Sequence, residues 1–135
     1  MSQTIIFTDL DGTLLDNETY SFEKARPALE AVGKRNIPLV FVSSKTRAEL
    51  EIWRKRFESR HPFISENGGG IFIPEGYLPL PVEGERQEGY KIIKLGMPYE
   101  AIRRRFIGLR EPLKVAVRGF GDMTVDEDAA FTGLS

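Results

Sequence analysis

The apolar run Ile5-Ile6-Phe7 stops at Thr8-Asp9-Leu10-Asp11-Gly12-Thr13, and this junction constrains the chain more than any other feature. Apolar residues running up to a glycine turn predict a buried strand, Thr4–Thr8. Open α/β sheets present ligand-binding groups at the carboxyl ends of such strands. Asp9 and Asp11 stand two residues apart there, so both carboxylates leave the same end. Two like charges that close require a cation or a shared proton between them. Asp and Gly are also ordinary turn residues, but strand ends further along repeat the polar theme.

The elements that follow predict the fold class. Phe22–Arg35 carries Phe22, Ala25, Leu29 and Val32 at helical spacing, with Pro27 tolerated near the start. Pro38–Val42 is a second apolar run. Thr46-Arg47-Ala48-Glu49 has the pattern of a capping box and opens a helix to about Arg60, burying Leu50, Trp53 and Phe57. Pro62–Ser65 predicts a third strand, which Gly68-Gly69-Gly70 turns into Ile71–Ile73 as a hairpin. The β-α-β-α-β order predicts an α/β fold: a Rossmann-like, doubly wound parallel sheet with helices on both faces and right-handed crossovers.

After Pro74 the character changes. Glu75–Gly89, rich in Pro, Gly and Glu, reads as a connector. Beyond it Tyr90–Leu95 predicts a strand, Pro98–Leu109 a helix and Lys114–Val117 another strand. Thr124-Val125-Asp126-Glu127 is a second capping-box pattern that starts a last helix. His61, before Pro62, is expected in a surface loop, and Arg103-Arg104-Arg105 on a solvated helix face.

Composition excludes several function classes. The 20 acidic and 19 basic residues leave no global field that would favour nucleic acid or a membrane surface. Cysteine is absent and His61 stands alone, which removes disulfides, thiolate catalysis and His- or Cys-based metal clusters. No apolar run approaches the roughly 20 residues needed to span a bilayer. The strand begins at once, leaving no room for a signal peptide, and a cytoplasmic protein is expected.

Oxygen chemistry remains. Asp9 needs no deprotonation to attack phosphorus, and an aspartyl phosphate would split one difficult displacement into two easier ones. Asp11 could protonate the leaving oxygen and later take a proton from water. Mg²⁺ beside Asp9 would offset the negative charge brought together. Gly12 lets the backbone approach phosphoryl oxygens. The second strand ends in Ser43-Ser44-Lys45, able to donate to a phosphate next to a helix start. The third ends near Asn67-Gly68 at the same sheet edge, so three strand ends converge on one crevice.

DLDGT after an apolar strand, with Ser43 ending the next one, resembles the haloacid dehalogenase superfamily of phosphohydrolases. Within it, VSSKTRAE (Val42–Glu49), ENGGGIFIP (Glu66–Pro74) and GFGDMTVDE (Gly119–Glu127) look like the mannosyl-3-phosphoglycerate phosphatases. The resemblance implies Asp9 as nucleophile, Asp11 as acid/base and Ser43 as a phosphate ligand, with Mg²⁺ on Asp9 and the backbone carbonyl of Asp11. It implies a phosphatase core over residues 1–82 and the first part of an α/β cap over 83–135. The substrate implied is a small phosphorylated sugar, mannosyl-3-phosphoglycerate, and the product mannosylglycerate.

The family's third-motif lysine and fourth-motif acidic pair follow the cap, whereas this sequence stops at Ser135. Gly121-Asp122-Met123-Thr124-Val125-Asp126 imitates a fourth motif, with Lys91, Lys94 or Lys114 upstream. The alternatives are a broad sugar-phosphate phosphatase, a non-catalytic fragment and a receiver-type signalling domain. The last would need its phospho-accepting Asp after the third strand, where Ser65-Glu66-Asn67 stands. A core with about three parallel strands leaves the first strand with an open edge, and self-association through it is expected.

Overall fold

The computed structural model describes residues 4–132. The outermost stretches of the two expected domains, 1–3 and 133–135, lie outside the described residues. In chain order the elements are β1 (Ile6–Thr8), α1 (Arg26–Lys34), β2 (Leu39–Val42), α2 (Arg47–Arg56), β3 (Phe63–Ser65), β4 (Gly70–Pro74), β5 (Glu85–Gln87), β6 (Tyr90–Lys94), α3 (Tyr99–Leu113) and α4 (Val125–Thr132). Glu66–Gly68 and Phe120–Asp122 form single 3₁₀ turns. The chain divides into two compact units between Gly96 and Met97. The expected division at residues 82 and 83 falls inside the first of them, because β5 and β6 continue the sheet. No helix among the described residues is long and apolar enough to cross a membrane.

The α/β class holds, with one change of detail. Six strands form a sheet in the order β1-β2-β3-β4-β6-β5. β1, β2 and β3 run parallel, while β4, β6 and β5 pair antiparallel. The reversal begins at the glycine-rich turn after β3, the hairpin that the sequence predicts. A second hairpin lies within the expected connector. Its turn is Glu88-Gly89, both at positive φ (49° and 81°), the geometry that matches strand twist in a two-residue loop. β5 is Glu-Arg-Gln and wholly exposed, so no apolar alternation announces it.

Register builds the core of this unit. Thr8, Phe41, Phe63, Phe72 and Ile92 are successive cross-strand partners on one face of the sheet. Phe63 and Phe72 stack with ring centres 4.7 Å apart, and Tyr90 meets Phe63 edge-on at 5.6 Å. Leu50 and Trp53 of α2 join this row in the buried cluster, with Phe57 packed against it. The helix is held at its start as expected: Thr46 N–H donates to Glu49 Oε2 at 2.9 Å, and Glu49 N–H donates back to Thr46 Oγ1. It ends at Arg56, short of Arg60, because Glu58 turns left-handed (φ 52°). α1 likewise starts late, at Arg26 beside Pro27, and stops before left-handed Asn36.

Among the described residues β1 is the last strand at its side of the sheet. Ile5 and Phe7 are 54% and 62% exposed there.

Three further sequence expectations fail. The first strand is not buried: Ile6–Thr8 are half-buried or exposed, since no strand lies beyond β1 among the described residues. Lys114–Val117 forms no strand: α3 continues to Leu113, Lys114 caps it in a left-handed turn (φ 50°), and the next residues have no strand to pair with among the described residues of the second unit. His61 is not a free surface residue. Its Nδ1 lies 2.8 Å from Tyr77 Oη and it is partly buried. Burial first, and the charge of Arg54 second, push its imidazole below the ordinary value of 6.5. Burial also raises the Tyr77 phenol above its ordinary value of 10.0.

The folded state thus binds a proton at His61 less readily than the unfolded chain does. The stability this contributes is complete above pH 6.5 and declines as the pH falls from there through the lower folded value. Urea midpoints at about pH 7.5 and about pH 5.5 should show the drop, and His61→Gln should flatten it. Equal slopes in both proteins would remove His61 as the cause.

Candidate active site

Leu10 is fully buried between the two exposed-end carboxylates. Its carbonyl accepts N–H bonds from Thr13, Leu14 and Leu15 at 3.2, 3.0 and 2.8 Å, which winds the chain into a tight loop. Gly12 sits in that loop at φ 67°, and a Cβ there would lie 2.8 Å from Asn17 Oδ1. Since alternate residues share a side, burying Leu10 turns Asp9 and Asp11 away from the core. Asp9 is exposed; its Oδ1 accepts the Leu10 N–H at 2.7 Å, leaving Oδ2 free of any partner among the described residues.

The ends of β2 and β3 are tied to each other. Ser43 N–H donates to the Ile64 carbonyl and Asn67 N–H to the Ser43 carbonyl, both at 3.1 Å. Glu66 N–H donates to the Lys45 carbonyl at 3.1 Å. Ser43 is 3% exposed, and its Oγ accepts the Lys45 N–H at 3.3 Å. Glu66 and Asn67 both stand at positive φ (50° and 54°). That backbone is uncommon outside glycine and clusters where a site needs it.

Asp9, Ser43, Ser44 and Asn67 of the expected residues line one cleft of about 360 Å³ at these strand ends, with Phe7, Thr8 and Val42 completing its wall. Asp11, Gly12, Gly68 and Lys45 are not in that wall. Lys45, expected to add positive potential beside a phosphate, turns to Asp11 instead: Nζ is 3.0 Å from Asp11 Oδ1. Its side chain is 11% exposed and lies 5.1 Å from the centre of the Tyr20 ring.

Tyr20 went unread in the sequence, where it stands in a plain polar loop. Asp16 shapes that loop. Its Oδ1 accepts from the N–H groups of Glu18 and Thr19 and from the Thr19 hydroxyl, and Lys24 Nζ sits 3.1 Å from Oδ2. The Thr19 N–H and then Lys24 pull the Asp16 carboxyl from 3.8 down to about 2. Only an Asx pattern at Asp16 could have signalled the turn, and nothing local signals the packing of Tyr20 on Lys45.

The donor set suits a hard cation. Asp9 offers a free carboxylate oxygen, and no third His, Cys, Asp or Glu joins the two aspartates among the described residues. Mg²⁺ typically takes one or two carboxylates and keeps waters or phosphate oxygens on its other positions, so the Asp9 carboxylate fits it, while the Asp11 carboxylate is held by Lys45. Asp122, the imitation fourth motif, is already engaged. Its oxygens accept from Arg103, from Arg110 at 2.8 Å and from Gly119 N–H at 3.0 Å. Its carboxyl is held far below the usual range, by Arg103 first and the Gly119 N–H second. Lys94 pairs with Glu85 at 2.7 Å, and neither Lys91 nor Lys94 lines the strand-end cleft. Arg103 is therefore tied down, while Arg104 and Arg105 form the exposed face that was expected.

Residues 6–79, holding all three strand ends, match the haloacid dehalogenase-like hydrolase family. The chain belongs to the haloacid dehalogenase-like hydrolases. Solved structures agree on the fold: a haloalkanoate-superfamily phosphatase of Bacteroides thetaiotaomicron superposes with a TM-score of 0.60 at 19% identity, covering 96% of this chain and 46% of that one. A Thermotoga maritima protein gives 0.59 at 19%, covering 100% and 48%.

Among curated haloacid dehalogenase-like relatives, a glucosyl-3-phosphoglycerate/mannosyl-3-phosphoglycerate phosphatase of Methanococcoides burtonii is 47% identical over 96% of this chain and 48% of its own length. A mannosyl-3-phosphoglycerate phosphatase of Pyrococcus horikoshii is 40% identical over 96% of this chain and 52% of its own. The chain spans about half the length of the curated relatives it matches.

Proposed function

We propose that this chain carries the nucleophile half of a Mg²⁺-dependent phosphohydrolase that converts mannosyl-3-phosphoglycerate to mannosylglycerate. The observation that carries this reading is Asp9, with an unpartnered carboxylate oxygen in a cleft walled by Ser43, Ser44 and Asn67. Asp9 Oδ2 attacks phosphorus, the bond to the sugar-acid oxygen breaks, and an aspartyl phosphate forms. Asp11, oriented by Lys45, passes a proton to the leaving oxygen and then takes one from the water that splits the acyl phosphate. The Ser43 hydroxyl and the amides after Asp9 bind the phosphoryl oxygens. The Asp9 carboxylate and the Asp11 carbonyl would hold Mg²⁺, which would supply positive charge against the repulsion between a phosphate dianion and a carboxylate.

The dual name of the Methanococcoides burtonii relative favours the glucosyl substrate as a second reading. Residues 83–135 begin a cap that selects the sugar, and the protein works in the cytoplasm in mannosylglycerate biosynthesis. The test is phosphate release from mannosyl-3-phosphoglycerate, with and without Mg²⁺, by this chain joined to the second half of that relative. Metal-dependent release is expected. Equal rates on unrelated sugar phosphates would favour a broad phosphatase instead.

The open edge of β1, with Ile5 and Phe7 exposed beside it, supports self-association of the 135-residue chain through that strand. Solution scattering should give the mass of a dimer; a monodisperse monomer would count against it.

A further inference from the structure

Tyr20 holds its backbone at φ 54°, where a bulky side chain is a genuine outlier. Strain of that kind persists only where neighbours over-determine it, and it gathers at functional sites. Asp16 over-determines it here. The Asp16 carbonyl accepts the Tyr20 N–H and the Asp16 N–H donates to the Ser21 carbonyl, both at 2.9 Å, so the residue is pinned on each side. The pinned ring stacks with Trp53 of α2, centres 6.4 Å and planes 22° apart. Tyr20 nonetheless stays 48% exposed, so burial of its own surface is a weak reason for the strained turn.

What the ring does cover is Lys45. The ammonium lies 5.1 Å from the ring centre, within the reach at which an aromatic face attracts a cation. The Lys45 side chain is 11% exposed and meets one carboxylate, Asp11, with Nζ 3.0 Å from Oδ1. Lysine is a compact charge on a flexible stem, able to swing between partners. Released from the ring, it would be free to turn to a phosphate instead. Asp11 Oδ1 is itself shut off from water. With Lys45 on Oδ1, Oδ2 is the oxygen left to carry a proton.

We infer that Tyr20 is a positioning residue for the acid/base step: its ring keeps Lys45 on Asp11 Oδ1 and thereby fixes which oxygen of Asp11 handles the proton. The inference rests on the phosphatase reading above, in which Asp11 gives a proton to the leaving oxygen and then takes one from water. Tyr20 acts through Lys45 alone, so its ring is required and its phenol hydroxyl is not.

The experiment compares Tyr20→Phe and Tyr20→Ala with the parent in two readouts. In the 135-residue chain, ¹⁵N NMR measures how fast the Lys45 ammonium exchanges protons with water. Exchange should be equally slow in the parent and Tyr20→Phe, and at least about threefold faster in Tyr20→Ala. In the chain joined to the second half of the Methanococcoides burtonii relative, kcat and KM are measured on mannosyl-3-phosphoglycerate, per molecule folded at the assay temperature. Tyr20→Ala should lower kcat about three- to tenfold, the size of a lost cation–π contact, and leave KM within about twofold. Tyr20→Phe should keep the parent's kcat. A raised KM with kcat unchanged would make Lys45 a phosphate ligand and overturn the inference. So would an unchanged kcat in Tyr20→Ala, or equal exchange in all three proteins. No turnover by the parent would sink the phosphatase reading instead, and the ammonium exchange would then decide the Tyr20–Lys45–Asp11 contact by itself.

Discussion

Asp9→Asn should abolish mannosyl-3-phosphoglycerate hydrolysis, lowering kcat by about a thousandfold or more, because the attacking oxygen becomes part of an amide. The comparison belongs in the chain joined to the second half of the Methanococcoides burtonii relative, where a full site is proposed. The substitution is nearly isosteric, and the Asn carbonyl can still accept the Leu10 N–H that Asp9 Oδ1 accepts now. The fold should persist, with a change in stability below about 1 kcal/mol. Mass spectrometry after rapid quench should find the phosphoryl adduct on the Asp9 peptide of the parent and none in the variant. Activity above a few per cent of the parent would remove Asp9 as nucleophile. Lost activity together with lost fold would be a structural effect, so a melting curve accompanies the assay.

The largest stability effect should come from Phe63→Ala. Phe63 is fully buried at the middle of the row from Phe41 to Ile92. It touches neighbours on several sides: Phe72 stacks on it, Tyr90 meets its edge, and the Arg54 guanidinium lies 4.9 Å from its ring centre. Truncation removes the ring and leaves a cavity that β-sheet neighbours cannot close, a loss of about 3–5 kcal/mol. Domains of this size hold only about 5–15 kcal/mol in total, so the variant should melt early or fail to fold. Phe63→Leu keeps most of the volume and should cost much less. Urea unfolding, followed by the single Trp53, reads both. A loss under about 1 kcal/mol for the alanine variant would mean the row is not the core of this unit.

Much of this arrangement is written in short-range patterns. The strand before Asp9 needs only an apolar run and a glycine turn, and it forms. The capping box at Thr46 and Glu49 depends on residues three apart, and both of its hydrogen bonds are present. The hairpin after Ser65 follows from consecutive glycines. Asp9, Ser43, Ser44 and Asn67 were legible as one cleft because a parallel β-α-β unit must bring the carboxyl ends of its strands to the same edge.

What remained hidden depends on neighbours that no local pattern names. β5 has three exposed polar residues and becomes a strand only because β6 offers it a partner. Lys114–Val117 has strand-like residues but no adjacent strand among the described residues of its unit, and the preceding helix runs on. His61 is drawn out of the surface by Tyr77, sixteen positions away in sequence. Lys45, read as a phosphate ligand, stands within 3.0 Å of Asp11, a pairing that no local pattern names. Local chemistry thus chose the elements and the carboxylate proposed to react. Long-range packing chose the partners, because charge pairing and strand pairing are energies of proximity, and proximity exists only once the chain has folded.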